Sequence, residues 1–301
     1  MIYTVTLNPA IDHVVQLAGP LRPGAVNRAA GEEYLFGGKG VNVSAVLAAL
    51  GWESVALGFV AGATGDWLER ELAAAGLATD FVHLREGMTR INLKLRADCE
   101  TELNCPGPAI PPAGMEALYA KLDGLRAGDV LVLAGSIPPS LPQDTYRRIL
   151  DRLAGRGVLA AVDADGPRLA GALGGRPFVV KPNHHELAAL AGRPLAGDAD
   201  IAAAARQLQT AGAANVLVSM AGDGALLLDA QGRARRIGCP AGTVVNSVGA
   251  GDSMLAGFLA GWLETGDYGY ALRLGTACGS ATAFSLGLAK REEIDAALRA
   301  L

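Results

Sequence analysis

The sequence has few cysteines, no basic run and no long apolar stretch, and each absence excludes a class of protein. None of its four cysteines forms a C-x-x-C pair or has a histidine at zinc spacing, so neither a disulfide framework nor structural zinc is expected. The net charge is −4 and no lysines or arginines cluster, so we expect no nucleic-acid partner. No apolar stretch reaches about 18 residues without glycine or charge, so we expect no transmembrane helix and no membrane partner.

Apolar residues are abundant, making up 50% of the 301 residues. They suffice for one large core, or for a large core with a small appendage. The N-terminus has no basic region and no small-residue cleavage site, so we interpret it as a strand rather than a signal peptide. Together with thiols that are expected to stay reduced, this predicts a cytoplasmic protein.

Strand and helix patterns alternate along most of the chain. Apolar strand segments such as 130–133 and 158–163, separated by helical patterns such as 143–153, predict a mostly parallel sheet covered on both faces. Residues 90–96 and 101–105 instead alternate apolar and polar side chains around a turn, which predicts a small separate β-sheet. Over the edge of an active site it would act as a lid that excludes water. The predicted division is a core of residues 1–10, 37–87 and 108–301 and a lid of residues 11–36 and 88–107.

The segment Val248-Gly249-Ala250-Gly251-Asp252-Ser253 directly precedes a long helical pattern. Glycines at a helix start let the backbone approach a ligand, and the free N–H groups and helix dipole favour an anion. A phosphoryl group in transfer requires such fixed donors, and Asp252 beside it could accept the proton of an attacking hydroxyl. The alternative is an ordinary helix start, in which the aspartate only compensates the dipole.

A second glycine-rich segment, Phe36-Gly37-Gly38-Lys39-Gly40-Val41-Asn42, also opens a helical pattern. It is not a Walker A loop, because glycine rather than Ser or Thr follows Lys39. No G-x-G-x-x-G follows a strand either, which argues against a nucleotide-dependent oxidoreductase. The segment could offer bare backbone to sugar hydroxyls, with Asn42 as donor and acceptor and Lys39 near a phosphate. It could equally be a plain glycine turn with an exposed lysine.

The third segment, Lys181-Pro182-Asn183-His184-His185-Glu186, lies between a strand and a helical pattern. Asn183 and Glu186 are three residues apart, so both reach one side of the first helical turn. Their oxygens could hold Mg²⁺ through water. The same spacing fits a capping box with Asn in place of Ser or Thr.

Together these segments resemble the PfkB/ribokinase family of carbohydrate kinases. Residues 248–253 are similar to the family's C-terminal G-A-G-D motif, and residues 36–42 are similar to its N-terminal glycine motif. The order, the spacing and the intervening Lys-Pro-Asn-x-x-Glu also agree, over the whole chain. Residues 6–12, 89–95 and 135–139 are most similar to members that act on ketohexose phosphates.

The resemblance implies a three-layer α/β/α ribokinase-like fold with a mostly parallel sheet and a β-sheet lid. It implies transfer of the γ-phosphoryl group of MgATP to the C6 hydroxyl of D-fructose 1-phosphate, with tagatose 6-phosphate or fructose 6-phosphate as alternative acceptors. A non-catalytic sugar-phosphate sensor on the same fold is a further alternative, although such a protein should have lost the base or the anion hole. By fold-level analogy, the lid could pair with its copy in a homodimer.

The resemblance also implies a role for each matching residue. The sugar phosphate would be bound by Asp12, Gly37, Gly38, Lys39, Asn42, Arg90, Asn92 and Ser136, and the nucleotide by Lys181, Asn183, Ser219, Ala221, Gly222, Gly224 and Gly279. Mg²⁺ would be held near Asn183 and Glu186. The anion hole would be formed by Gly249, Ala250 and Gly251, and the base would be Asp252. Three positions depart from the family pattern, namely Ala221 and Ser140, where glycine is common, and Ala164, where a hydroxyl residue is common. They bear on the nucleotide loop rather than on the chemistry.

Overall fold

The computed structural model describes all 301 residues, which form fourteen strands and ten α-helices. The strands are β1 (Ile2–Thr6), β2 (Ala10–Leu17), β3 (Ala29–Gly37), β4 (Ser54–Ala61), β5 (Ala78–Thr79), β6 (Val82–Leu84), β7 (Arg90–Arg96), β8 (Glu100–Leu103), β9 (Val130–Ala134), β10 (Leu159–Asp163), β11 (Val179–Val180), β12 (Asn215–Ser219), β13 (Ala225–Leu228) and β14 (Ala234–Ile237). The helices are α1 (Lys39–Ala49), α2 (Gly62–Ala74), α3 (Pro112–Leu122), α4 (Thr145–Arg152), α5 (Gly166–Leu173), α6 (His184–Ala191), α7 (Gly197–Thr210), α8 (Ala250–Thr265), α9 (Tyr268–Ala283) and α10 (Arg291–Ala300).

Ten strands form the central sheet, in the order β14-β13-β12-β11-β10-β9-β1-β4-β5, with β6 also pairing with β4. All pairs from β12 to β5, and that of β6 with β4, are parallel, whereas β13 pairs antiparallel with both β12 and β14 at one edge. This confirms the predicted mostly parallel sheet. The pattern of residues 226–229 and 233–237 around Gln231-Gly232 also predicts a hairpin, which β13 and β14 form.

Two helical layers cover the sheet, which explains why its strands are apolar on both faces. In β9, Leu131 and Leu133 pack into a cluster with helices α3 to α7, whereas Val130, Val132 and Ala134 pack into a second cluster with α1, α8, α9 and α10. The predicted three-layer architecture is therefore confirmed. No helix is both long enough and apolar enough to cross a bilayer.

The lid is a separate four-stranded sheet in the order β3-β2-β7-β8, in which β2 and β7 are parallel. Its register gives it two different faces. One face carries polar side chains from neighbouring strands, including Asp12, Asn92, Lys94 and Glu102. The other face carries Ile91, Leu103 and Tyr34, which are 39%, 54% and 48% exposed.

Six elements were not predicted from the sequence: strands β3, β5 and β6 and helices α3, α5 and α10. Strand β3 lies at the lid edge with seven of its nine residues exposed, so it lacks an alternating apolar pattern. Helix α5 has only eight residues and begins with Gly-Pro, which is typical of a turn. The long helical pattern after Gly249 predicts a helix over residues 250–265, and α8 has these bounds.

Helices α8 and α9 lie unusually close together, and this closeness predicts the outcome of a glycine substitution. A Cβ on Gly257 would lie 2.6 Å from Cys278 Sγ and 2.7 Å from the Leu274 carbonyl oxygen, whereas one on Gly171 in α5 would meet nothing within 4 Å. Alanine is favoured over glycine in both helices by about 1 kcal/mol. We expect Gly257→Ala to lower Tm and Gly171→Ala to leave it unchanged or raise it, as measured by thermal denaturation. Equal effects of the two substitutions would contradict the close contact.

Candidate active site

The parallel strands of the central sheet end along one edge, and polar residues follow several of them there. In parallel α/β sheets this edge is where ligands bind. Strand β9 is followed by Ser136, β10 ends in Asp163, β11 is followed by Lys181, and β12 ends in Ser219. All four residues line one cavity, together with the start of α1 and the start of α8.

Two adjoining cavities lie at this edge. The first, of about 600 Å³, is lined by polar residues and glycines apart from Val248 and extends to the lid, so we call it the lid-side cavity. The second, of about 650 Å³, is more apolar and lies between the loop after β12 and helix α9, so we call it the helix-side cavity. Asn183, Ser219 and Gly251 line both cavities. A molecule in one cavity can therefore approach a molecule in the other at this junction.

Asp252 lies at the junction, in the first turn of α8, and only 5% of it is exposed. Its Oδ2 accepts a hydrogen bond of 2.8 Å from the Asn42 side-chain amide. Burial raises the pKa of Asp252 to about 6, and the nearby Asp163 carboxylate acts in the same direction. Lys39 and Lys181 oppose that rise. A carboxylate with such a pKa is a stronger base than a free one and is still ionised at neutral pH.

The start of α8 leaves backbone donors free beside Asp252. No side chain caps this helix, and the amides of Gly249, Gly251 and Asp252 donate to no acceptor within the chain. The Ala250 amide differs, since it donates to the Ser247 carbonyl at 3.2 Å. Gly249 has a φ of 80°, and a Cβ there would lie 2.7 Å from Leu288, so the turn requires glycine. Free amides at a helix start are a binding site for an anion.

A buried carboxylate binds two lysines next to these amides. Asp163 is 1% exposed, and its two oxygens lie 2.8 Å from Lys39 Nζ and 3.0 Å from Lys181 Nζ. Burial alone would raise the pKa of Asp163, but Lys181 and Lys39 bring it below the usual value. Burial alone would lower the pKa of Lys39, but Asp163 and Asp252 bring it above the usual value. Asp163 and Lys39 are therefore both charged.

Lys181 also lies against the start of α8. A Cβ on Gly251 would lie 3.0 Å from Lys181 Nζ. An ammonium group and free amides thus face the same point, where the two cavities join. This combination stabilises a multiply charged anion more strongly than either element alone.

Asn183 and Glu186 form the capping box that their spacing allowed. Asn183 Oδ1 accepts from the Glu186 amide at 2.8 Å, and Glu186 Oε2 accepts from the Asn183 amide at 2.8 Å. Both side chains nevertheless line the lid-side cavity, and Glu186 Oε1 makes no hydrogen bond. The residues fit Mg²⁺, which prefers oxygen ligands and usually keeps several of its waters.

Arg90 provides a cation at the lid end of the lid-side cavity. Its Nε donates to the Asn8 carbonyl at 3.1 Å and its Nη1 donates to the Cys105 carbonyl at 3.2 Å. No carboxylate lies within salt-bridge distance of it, so these bonds fix the guanidinium without neutralising it. The group is free to pair with an anionic ligand.

Most residues predicted for the site line one of the two cavities. The lid-side cavity is lined by Gly38, Lys39, Asn42, Arg90, Ser136, Lys181, Asn183, Glu186, Ser219, Gly249, Gly251 and Asp252, and the helix-side cavity by Ala221, Gly222, Ala250 and Gly279. Four predicted residues do not line either cavity: Asp12, Gly37, Asn92 and Gly224. Asp12 accepts a 3.0 Å hydrogen bond from Asn92 within the lid and lies against Gly37, and Gly224 lies in the turn between β12 and β13.

Seven residues of the lid-side cavity were not predicted for the site: Asp163, Glu102, Asn104, Thr6, Asn8, Gly135 and Val248. A signal for Asp163 was available, because an aspartate ends a continuous apolar strand where a parallel sheet binds ligands. The residues of the lid hairpin gave no comparable signal. Ala221, which departs from the family pattern, has a φ of 48°, a conformation that glycine adopts at no cost.

Moving a phosphoryl group from a nucleotide to an alcohol requires fixed donors for the transferred group and a base for the alcohol. The junction of the two cavities provides both. The fold and the site are therefore those of a small-molecule kinase.

Comparison with known proteins identifies the kind of kinase. Residues 5–294 match the pfkB family carbohydrate kinase profile, and the chain belongs to that family. It is 43% identical to a 1-phosphofructokinase of Bacillus subtilis (strain 168), covering 97% of this chain and 95% of the relative. It is 39% identical to a D-tagatose-1-phosphate kinase of Bacillus licheniformis, covering 98% and 96%. A crystal structure of a phosphofructokinase described as putative, from Staphylococcus aureus, superposes with a TM-score of 0.89 at 38% identity, covering 100% and 97%.

The raised pKa of Asp252 predicts a stability change on substitution. Because the folded-state pKa of about 6 exceeds the ordinary value of 3.8, ionisation above pH 6 destabilises the folded state. Asp252→Asn removes that cost, so we expect the variant to be more stable than the wild type at pH 8, by at most about 3 kcal/mol. The difference in Tm between Asp252→Asn and the wild type, measured at each pH, should shrink as the pH falls from 6 towards 4. Asp165→Asn, at a side chain that is 60% exposed, is the matched control and should change little. A wild type more stable than Asp252→Asn at pH 8 would rule out the burial cost.

Proposed function

We propose that this protein transfers the γ-phosphoryl group of ATP to the C6 hydroxyl of D-fructose 1-phosphate, giving fructose 1,6-bisphosphate and ADP. The observation that carries the proposal is the buried Asp252 carboxylate beside the uncapped start of α8, at the junction of the two cavities. The sugar phosphate occupies the lid-side cavity and the nucleotide occupies the helix-side cavity.

In this mechanism Asp252 Oδ accepts the proton of the C6 hydroxyl, and that oxygen attacks the γ-phosphorus in line. The Asn42 amide holds the carboxylate in position at 2.8 Å. The free amides of Gly249 and Gly251 stabilise the negative charge on the transferring group, with Ala250 completing the turn. General base catalysis contributes about 10²- to 10⁴-fold to the rate.

Lys39 and Lys181 bind the phosphate oxygens on either side of the bond that breaks. Asp163 holds both ammonium groups at the junction, so they need not be repositioned during transfer. Asn183 and Glu186 would hold Mg²⁺, which would supply neutralisation of phosphate charge. Ser219, Ala221, Gly222 and Gly279 line the helix-side cavity and contact the nucleotide, whereas Gly224 only closes the turn that carries Ala221 and Gly222.

The sugar phosphate is held between the lid and α1. Arg90 binds its phosphate, because the guanidinium is fixed by two carbonyls and has no carboxylate partner. Gly38, Asn42 and Ser136 line the lid-side cavity and bind the sugar hydroxyls. Asp12 and Asn92, which pair with each other in the lid, would reach the sugar only when the lid closes, and Gly37 lets the chain pass against the Asp12 carboxylate.

The alternative acceptors are other ketohexose phosphates. The D-tagatose-1-phosphate kinase relative supports tagatose 1-phosphate, which differs from fructose 1-phosphate in the configuration at C4. Tagatose 6-phosphate and fructose 6-phosphate are alternatives of the same kind, each with a phosphate at one end and a hydroxyl at the other.

We also propose that the lid of residues 11–36 and 88–107 closes over the core of residues 1–10, 37–87 and 108–301 when the sugar binds. The exposed apolar face of the lid, with Tyr34, Ile91 and Leu103, supports pairing with a second copy of the chain in a homodimer. The reduced cysteines and the substrates are consistent with a cytoplasmic enzyme.

A coupled ADP-release assay with the four sugar phosphates tests the acceptor. We expect kcat/KM to be highest for fructose 1-phosphate, and a higher value for any of the other three would reassign the substrate. With the best acceptor, Asp252→Asn should lower kcat at least about 10²-fold while the protein stays folded. A near-normal kcat in that variant would exclude Asp252 as the base.

The dependence of kcat/KM on pH tests the pKa of the proposed base, Asp252. Because Asp252 must be ionised to accept a proton, we expect kcat/KM to fall about tenfold per pH unit below about 6. The second ionisation of a phosphate monoester also lies near pH 6, so the wild-type profile alone is ambiguous. Asn42→Ala removes a hydrogen bond that lowers the pKa of Asp252, so the acidic limb should move to higher pH. If the acidic limb stays in place, the ionisation that causes it belongs to the substrate phosphate rather than to Asp252.

A further inference from the structure

The polar face of the lid carries an ion pair that the proposed chemistry does not use. Lys94 is only 9% exposed, and its Nζ lies 2.7 Å from Glu102 Oε1. The two residues are direct partners across β7 and β8, so backbone register fixes the pair. A lysine this buried requires a carboxylate partner, and the register provides one in Glu102, whose own side chain is 39% exposed.

The carboxylate of this pair faces the lid-side cavity. Glu102 lines that cavity together with Arg90 and Asn104, whereas Lys94 does not. Asn104 Nδ2 lies 3.4 Å from Glu102 Oε2, so a second donor approaches the other oxygen only loosely. Hydrogen bonding to Lys94 lowers the pKa of Glu102, so the group facing the cavity is an anion.

An anion on this wall has a cost for the proposed substrate. The proposed phosphate site, Arg90, lies on the same wall, and a carboxylate there repels a phosphate dianion. Lys94, on the neighbouring strand and the same face of the lid, offsets that repulsion. The arrangement makes sense if Glu102 contacts a part of the substrate that requires a carboxylate, because a neutral side chain would avoid the repulsion altogether.

We propose that Glu102 is a specificity-determining residue that accepts hydrogen bonds from the sugar hydroxyls lying between the substrate phosphate and the reacting oxygen. Lys94 is the positioning residue that neutralises Glu102, so that a phosphorylated sugar can bind beside it. This inference rests on the proposed function. Ionised carboxylates accept strong hydrogen bonds from hydroxyls, and a site built for such bonds rejects a substrate whose hydroxyls point elsewhere. Glu102 therefore distinguishes ketohexose phosphates that differ at C4.

A double-mutant cycle on the pair tests both roles. We compare Glu102→Gln, Lys94→Met and the double variant, measuring kcat and KM with fructose 1-phosphate, tagatose 1-phosphate and ATP. Glu102→Gln should raise the KM of the better sugar phosphate about tenfold and narrow the ratio of kcat/KM between the two epimers. Lys94→Met should raise the KM of that sugar phosphate further, because the unpaired Glu102 carboxylate then repels the substrate phosphate. In the Glu102→Gln background, Lys94→Met should have little further effect. The KM of ATP should stay within about twofold in all variants, because the nucleotide occupies the other cavity.

Arg152→Met, at a surface ion pair with Asp123, is the matched control and should leave every constant unchanged. If the wild type is active and Glu102→Gln leaves the ratio of kcat/KM between fructose 1-phosphate and tagatose 1-phosphate unchanged, Glu102 does not determine specificity. A Lys94→Met effect of the same size in both backgrounds would overturn the positioning role, since it would report general damage to the lid. If Lys94→Met does not fold, the epimer ratio of Glu102→Gln decides alone. A wild type inactive towards all sugar phosphates would instead contradict the proposed function itself.

Discussion

The ion pairs between one buried carboxylate and two lysines are the interaction on which the site depends. Asp163 at the end of β10 binds Lys39 at the start of α1 and Lys181 just after β11. Three separate parts of the chain thus meet at a group that is 1% exposed. Two neighbouring ammonium groups would repel each other without it, and a buried charge that loses its partner is strongly destabilising. The sheet edge and the two helix starts are therefore held in one arrangement.

The charges of Asp163, Lys39 and Lys181 also act on the pKa of Asp252. Its carboxylate and that of Asp163 balance the two lysines, so the four groups together carry no net charge. Two carboxylates in one buried site oppose each other's ionisation, and this opposition adds to the effect of burial on Asp252. The arrangement is less stable than an uncharged one, as is common for sites in which strain or burial serves activity. The uncapped start of α8 is a second such feature, because a capping side chain would occupy the amides.

Periodic patterns in the sequence predicted the parts of the fold that obey local rules. Helix α8 was predicted at both ends because glycines flank a long apolar pattern, and β7 because its apolar and polar residues alternate. The exposed edge strand β3 follows no such rule and was missed. The site motifs located Lys39, Lys181 and Asp252, but no motif indicates that Asp163 pairs with two of them. Such pairs join residues far apart in the chain, so only the three-dimensional structure reveals them. The Asn183–Glu186 spacing allowed both a capping box and a metal site, and one oxygen of each side chain is used by the capping box.

The parallel pairing of β2 with β7 has a consequence for how the chain folds. These lid strands are about 80 residues apart, as the pairing of Asp12 with Asn92 shows, and the chain between them contains α1, β4 and α2 of the core. Long-range parallel pairs form slowly, because the intervening loop must be closed before any contact compensates for the lost entropy. The lid can therefore assemble only once that part of the core has brought its strand ends together. Folding of the active-site cover is thus coupled to folding of the sheet beneath it, and a chain with an unformed core cannot present a finished sugar site.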